Sequence, residues 1–290
     1  MQYGKWNILH ELGKGGQGAA FLVTDNPAPE LDGEIISSIQ TAVAQLALPV
    51  NLPESRKKAG RQLLEAIAKY LRPGDESRAN VLKLLHEPIR NDRKAKERLA
   101  REIEILGKRL HPNIVHIIDH SESESWFVTP YYSRGTLSSD RGRFKGEPLE
   151  ALVVFRNLVE AVAVLHKNKI VHRDIKPDNI FVSEKDLVLG DLGIAHIQED
   201  DRTRVSETYE NVGSRDWMPA WAMGMRLEDI RPTFDVYALA KVLWSMIAGK
   251  TKMLLWYYNE QGNDLTKLFP HDENMLWINR LAVSSSKCNG

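Results

Sequence analysis

The sequence predicts an α+β chain in which a small antiparallel-sheet lobe, interrupted by a helical insertion, precedes a larger, mainly helical lobe. Three observations carry this expectation. Strand-like segments dominate up to about residue 130, helical periodicity dominates after about residue 148, and a glycine-rich turn lies between two strand-like segments near the N-terminus. The boundary falls at residue 132, which gives lobes of residues 1–132 and 133–290.

The glycine-rich turn is Leu12-Gly13-Lys14-Gly15-Gly16-Gln17-Gly18, between Trp6-Asn7-Ile8-Leu9 and Phe21-Leu22-Val23. Glycines there let backbone amides approach a phosphate that side chains would hold off. A dinucleotide-binding fold also shows this spacing, but it continues straight into a helix and a parallel strand. A second strand follows here, so an antiparallel hairpin is expected. More than fifty residues separate Val23 from Val81. Ile35, Ile36, Ile39, Val43 and Leu46 form one apolar stripe, and Leu63, Leu64, Ile67 and Leu71 form a second, which predicts a helical hairpin over about residues 26–78, broken by Pro49 and Pro53. It is either a decoration packed on itself or a docking site for a regulatory partner.

Val81-Leu82-Lys83-Leu84-Leu85 is an apolar run holding one charge, which is costly unless that charge has a partner. A helix is expected from about Asp92 to Arg109; it carries Glu102 and Glu104, roughly 200° apart around the axis. Pro148 through Lys167 places Leu149, Leu152, Val153, Leu158, Val159, Val162 and Leu165 in a broad stripe, which predicts a buried helix. A second buried helix is expected through Phe234-Asp235-Val236-Tyr237 to Trp244.

The chain has 290 residues, 42% hydrophobic and 27% charged, enough to bury a substantial core. Its 39 basic and 39 acidic residues leave no net field to attract nucleic acid, and no basic patch is interleaved with aromatics. The single cysteine, Cys288, excludes an internal disulfide framework and a Cys-rich zinc site, which fits a reducing compartment. Met1-Gln2-Tyr3-Gly4-Lys5-Trp6 lacks the apolar core of a signal peptide, and no run of about 18 apolar residues is present to span a bilayer. A cytoplasmic enzyme is therefore expected.

The densest motif is His172-Arg173-Asp174-Ile175-Lys176-Pro177-Asp178-Asn179, followed across Ile180-Phe181-Val182 and Leu187-Val188-Leu189 by Asp191-Leu192-Gly193. Taken alone, an Asp beside Gly is more often a turn residue than a metal ligand. Together the two strings resemble the catalytic loop and metal-binding turn of the eukaryotic-type Ser/Thr protein kinases, and the resemblance runs in order from about residue 7 to about residue 250. It implies a bilobal protein kinase-like fold that uses ATP and Mg2+ and phosphorylates a protein substrate.

The roles it implies follow residue by residue. Asp174 would accept the proton of the acceptor hydroxyl, Lys176 would place positive charge beside the transferring group, and Asn179 and Asp191 would hold metal. Lys176, two residues after the Asp, is a mark of serine/threonine members. Gly13, Lys14, Gly15, Gly16 and Gly18 would cover the phosphates, with Lys83 and Glu102 as the ion pair that holds them. Glu102 lies nine residues before His111, the family's usual spacing, and Glu104 is its competitor. Thr129 would be the residue at the back of the nucleotide pocket, Tyr131 and Tyr132 would offer backbone groups to adenine, and Phe181 would form the pocket floor. Asp235 would bond back to the catalytic-loop backbone, although a carboxylate early in a helix also suits the macrodipole.

The activation segment implied from Asp191 to about Trp221 holds Thr203, Ser206, Thr208, Tyr209 and Ser214; phosphorylation of Thr203, Ser206 or Thr208 would give Arg173 a charge-assisted partner, and Ser214 would link Asp174 and Lys176. Two departures from the family pattern matter, the first for the substrate and the second for the length of the larger lobe, which the resemblance implies is shortened at its C-terminus. Pro219-Ala220-Trp221 stands where the family has Ala-Pro-Glu, and the chain stops soon after Leu281. These keep a catalytically weak kinase-like scaffold as the alternative. A small-molecule kinase of related fold is disfavoured by Arg173, Lys176 and the long hydroxyl-rich segment.

Overall fold

The computed structural model describes residues 2–14, 18–25, 33–47, 60–61, 63, 80–87, 90, 92–192, 196–197, 217, 231–250 and 262–286. The chain divides into two compact units, one of Met1–Ala95 with Ile118–Tyr131 and one of Lys96–Ile117 with Tyr132–Gly290.

The first unit is built on a six-stranded sheet of β1 (Gln2–Tyr3), β2 (Trp6–Lys14), β3 (Gly18–Thr24), β4 (Asn80–Leu85), β5 (Asp119–Ser121) and β6 (Trp126–Pro130), in the order β1-β2-β3-β4-β6-β5. Every neighbouring pair is antiparallel. β2 and β3 form the expected hairpin across the glycine-rich turn, with Lys14 opposite Ala19, and the register shifts between Ile8 and His10 and between Glu11 and Gly13. Such irregularities increase local twist. Trp6 on β2 donates from Nε1 to Asp119 Oδ2 of β5 at 2.8 Å. Four strand spacings of roughly 4.8 Å would separate β2 from β5 in a flat sheet, so the sheet is curled on itself. Its core is Trp6, Val23, Leu82, Leu84, Trp126 and Val128, with Tyr3, Ile8 and Phe21 packed against it.

Among the described residues of the insertion, Gly33–Ala47 form helix α1. The apolar stripe expected there is not its packed face throughout: Ile36 and Val43 are exposed, and the packed edge runs through part-buried Ile39 and buried Ala42. Of the second stripe only Leu63 is among the described residues, and it is helical; Leu64, Ile67 and Leu71 lie outside them.

The second unit is mainly helical. α2 (Arg93–Gly107) is capped by Asp92, whose Oδ1 accepts from Ala95 N–H at 2.8 Å. The chain leaving α2 is tied to later elements: Val115 N–H donates to Leu189 O at 2.8 Å and Leu189 N–H to Asn113 O at 2.8 Å. The Asn113 amide also donates to Leu187 O at 2.8 Å. These bonds place the Lys96–Ile117 stretch with the helical unit.

α3 (Pro148–Lys167) begins at the expected proline, which suits the first helical position because its missing N–H has no partner to lose. It buries Ala151, Val154, Leu158, Ala161, Val162 and Leu165, while Leu149 and Val153 are 64% and 70% exposed. The stripe read from sequence is thus wider than the face that packs. α4 (Thr233–Ala248) is buried nearly all round and packs against α3, α5 (Leu265–Leu268) and α6 (Asn274–Ser286). It ends at Gly249, whose φ of 65° and N–H bond to Ser245 O make the left-handed cap for which glycine is suited. Two small antiparallel pairs complete the unit, β7 (Ile170–Val171) with β10 (His196–Ile197) and β8 (Ile180–Val182) with β9 (Leu187–Leu189). No helix among the described residues is long and apolar enough to cross a membrane.

Gly18 shows a constraint that phosphate approach does not explain. A Cβ there would sit 2.3 Å from Leu84 O, backbone of the paired strand. Gly18→Ala is expected to destabilise the first unit by about 1–3 kcal/mol with no ligand added. Urea unfolding monitored by tryptophan fluorescence checks this, and an unchanged midpoint would count against the close strand approach.

Candidate active site

The site is built on the loop between β7 and β8, and that loop is held by a side chain from α4. Asp235, 0% exposed, accepts from His172 N–H at 2.8 Å and from Arg173 N–H at 2.9 Å. His166 of α3 adds its Nε2, 2.8 Å from the same carboxylate. A carboxylate can only accept, so the His166 proton resides on Nε2. Three donors converging on one buried anion compensate for the hydration it has lost.

His172 passes the constraint on. Asp174 N–H donates to its Nδ1 at 3.3 Å, which assigns the proton of the neutral ring to Nε2, 3.0 Å from Gly190 O. Gly190 N–H in turn donates to Asn179 O at 2.9 Å. One imidazole therefore couples the backbone at Asp174 to the turn that carries Asp191.

Within the loop, Asp174, Lys176 and Asn179 form a cluster. Lys176 Nζ is 2.6 Å from Asp174 Oδ2, and Asn179 Nδ2 is 2.8 Å from both Asp174 O and Asp174 Oδ2. Both lysine and amide thus bind the same carboxylate oxygen, and none of these bonds uses Oδ1. They also orient the Asn179 amide with its nitrogen on Asp174, which makes Oδ1 the side-chain acceptor of that residue. The Pro177–Asn179 stretch is a 3-10 turn, with Asn179 buried and Asp174 and Lys176 half-buried. Asp191 is exposed. Its φ is 57° and that of Arg173 is 70°, left-handed conformations that a non-glycine residue holds only where its surroundings enforce them.

Phe181 stacks on Tyr132 with centroids 5.1 Å apart and rings 17° from parallel. Burial pushes the Tyr132 phenol up to about 12 and raises that of Tyr131. Both are neutral at physiological pH. A Cβ on Gly190 would lie 2.6 Å from the Phe181 ring and 3.2 Å from Val115. Gly190, His166 and Asn113 are site-supporting residues that the sequence reading missed. The only signal for Gly190 was its place beside Asp191.

On the sheet unit, Lys83 lies on β4 opposite Ala20 and Phe127, with Nζ 5.4 Å from the Phe127 ring centroid. Gly13 has open space where a Cβ would stand, and Lys14 pairs with Glu11 at 3.3 Å on the surface. Gly15 and Gly16 lie outside the described residues, as do Thr203, Ser206, Thr208, Tyr209, Ser214 and Pro219 to Trp221. Thr129 on β6 stands opposite Val81 and is part-buried, and Tyr131 follows it at the end of the unit. On α2, Glu102 is 4% exposed, whereas Glu104 faces solvent and pairs with Lys108 at 3.0 Å. Of the two glutamates, Glu102 is the one that packing constrains.

Residues 70–285 match the protein kinase domain family. The chain is 32% identical over 175 residues to the serine/threonine-protein kinase PrkC of Bacillus subtilis, covering 59% of this chain and 26% of that protein. It is 29% identical over 178 residues to the serine/threonine-protein kinase pkn2 of Myxococcus xanthus, covering 59% and 21%. A probable serine/threonine-protein kinase of Clostridium perfringens matches at 29% over 174 residues, covering 58% and 25%. The matched part thus spans about a quarter of the length of these curated relatives.

Asp235→Ala is expected to cost about 2–6 kcal/mol, from about 1–3 for each of the two buried backbone donors it strands. Asp235→Asn, which keeps one acceptor oxygen, is expected to cost less. Chemical denaturation of the two variants gives the ranking, and equal stability of wild type and Asp235→Ala would remove this carboxylate from its anchoring role.

Proposed function

Because the chain belongs to the protein kinase domain family, we propose that it is a serine/threonine protein kinase, transferring the γ-phosphoryl group of ATP to a Ser or Thr hydroxyl of a protein. The observation that carries this reading is the Asp174 cluster. A carboxylate whose Oδ2 is committed to Lys176 and Asn179 keeps Oδ1 as a directed proton acceptor. As the acceptor oxygen forms its bond to the γ-phosphorus and the bond to the ADP oxygen breaks, the hydroxyl proton passes to Asp174. Lys176, held beside that carboxylate, supplies positive charge close to the transferring group.

The donor set fits a magnesium ion that completes its shell with phosphate and water oxygens. Among the described residues no cluster of three His, Cys, Asp or Glu exists that would cage a metal by itself. Asn179 offers an amide oxygen and Asp191 a carboxylate, and the Gly190 N–H bond to Asn179 O joins the two backbone segments that carry them. One or two such oxygen ligands are what this cation takes where a nucleotide supplies the rest. When bound it would neutralise the charge on the phosphates. On the same proposal Lys83, Glu102 and the Gly13 to Gly18 turn hold the nucleotide phosphates, and Thr129, Tyr131, Tyr132 and Phe181 line the adenine site; membership of the family supports this reading.

The acceptor preference rests on Lys176 and on the naming of the relatives. Asp174→Asn removes the proton acceptor while keeping the bonds that its other oxygen makes, so turnover is expected to fall by about 10²-fold or more with the KM for ATP little changed. Incorporation of labelled phosphate into the protein itself and into a peptide pool measures this. A variant as fast as its parent would falsify the assignment.

A further inference from the structure

The apolar run of β4 carries one charge, Lys83, and the strands on either side show what stands next to it. Its direct cross-strand partners are Ala20 of β3 and Phe127 of β6. Residues paired directly across antiparallel strands point to the same face, so these three side chains share one side of the sheet. The opposite side is the core of Leu82, Leu84, Trp126 and Val128. Ala20 offers a methyl group only. Phe127, 2% exposed, offers an aromatic face, and Lys83 Nζ stands 5.4 Å from its ring centroid. That distance lies within the range of cation–π attraction, which strengthens as the pair is removed from water.

A lysine ammonium sits on a long flexible stem, so it keeps one position only where its surroundings hold it there. The anions meant for it in the proposed site are Glu102, which belongs to the other compact unit, and the phosphates of a nucleotide that comes and goes. Phe127 belongs to the same sheet. Its own place is set by pairing on both sides, with Lys83 on β4 and with His120 on β5, and by the buried neighbours Trp126 and Val128 that anchor the strand in the core. A ring fixed in this way can order the ammonium before a nucleotide arrives. Ordering in advance reduces the side-chain freedom lost on binding and so raises affinity.

We propose that Phe127 is a positioning residue for nucleotide binding: its ring face orders the Lys83 ammonium and thereby sets the affinity for the nucleotide phosphates. It acts through Lys83 and gives no group of its own to the phosphates. The proposal rests on the phosphotransfer reading above, in which Lys83 holds those phosphates. The motif that singles out the lysine does not reach the phenylalanine, because only strand pairing brings the two together.

The test replaces Phe127 in the full chain by mono-, di- and trifluorinated phenylalanine, a series that withdraws electron density from the ring face at nearly constant shape. Isothermal titration with magnesium ADP reads nucleotide affinity, and thermal unfolding reads the fold. The Kd is expected to rise stepwise, to about fivefold for the trifluorinated ring, with the unfolding midpoint unchanged. Phe127→Leu, which removes the ring, is expected to raise it at least as far; should that variant fail to fold, the fluorinated series decides alone. In Lys83→Met no cation faces the ring, so the same series is expected to leave the Kd flat. The KM for a peptide acceptor is expected to stay within about twofold throughout, since the contact serves the nucleotide. A flat series in the parent chain, an equal rise in Lys83→Met, or a loss of affinity that only follows a falling unfolding midpoint would each overturn the role of Phe127 and leave the phosphotransfer reading standing. A parent chain that neither binds magnesium ADP nor transfers phosphate overturns that reading itself, and the role of Phe127 with it.

Discussion

The carboxylate of Asp235, taken wholly out of water, is the constraint from which the site follows. A buried anion is tolerated only when donors replace its hydration, and here two of the donors are backbone N–H groups of the loop that carries Asp174. The need of the anion and the need of the loop are met by the same bonds. From there the order propagates: His172, its backbone fixed by Asp235, uses one ring nitrogen on Asp174 N–H and the other on Gly190 O. Gly190 closes the circuit on Asn179, whose amide returns to Asp174. Bonds in such a circuit polarise and support one another, so the cluster is stiffer than any pair within it.

That circuit also accounts for two backbone conformations that would otherwise be unfavourable. Arg173 and Asp191 both have left-handed φ, and each lies beside a residue or a bond belonging to the circuit. Arg173 N–H is one of the donors to Asp235, and Asp191 follows Gly190, which is bonded at both its N–H and its carbonyl. Conformations costing of order 1–3 kcal/mol persist where flanking contacts over-determine them.

Much of this was legible in the sequence because it is local. The Trp6 and Phe21 segments around a run of glycines gave the hairpin, Pro148 and Lys167 bounded α3, and Ile180 to Val182 with Leu187 to Leu189 gave a strand pair with the expected bounds. What periodicity could not supply is which apolar residues find partners. Leu149 and Val153 satisfy the helical pattern of α3 and still face solvent, and Ile36 and Val43 do the same on α1. The choice between Glu102 and Glu104 has the same character, since two charges on one helix are separated only by what packs on each side. Gly190 and His166 were missed because their reasons lie elsewhere in the chain. Gly190 is small on account of a ring from β8, and His166 is polar on account of a carboxylate sixty-nine residues later.

α4 is a rigid, nearly fully buried rod, and it carries two ionisable residues of opposite sign at 235 and 241. Six residues turn the helix by about 600°, leaving the two side chains roughly 120° apart on its circumference. Each is therefore free to serve a different part of the unit while sharing one frame. The carboxylate holds the loop that bears Asp174, and the lysine places its Nζ 5.3 Å from the Trp217 ring centroid. On separate segments these two groups would move independently, whereas one helix fixes the spacing between them. A single helix whose other faces are locked by α3, α5 and α6 removes that freedom, which is a physical reason for this helix to accept two buried charges where apolar residues alone would pack with less cost.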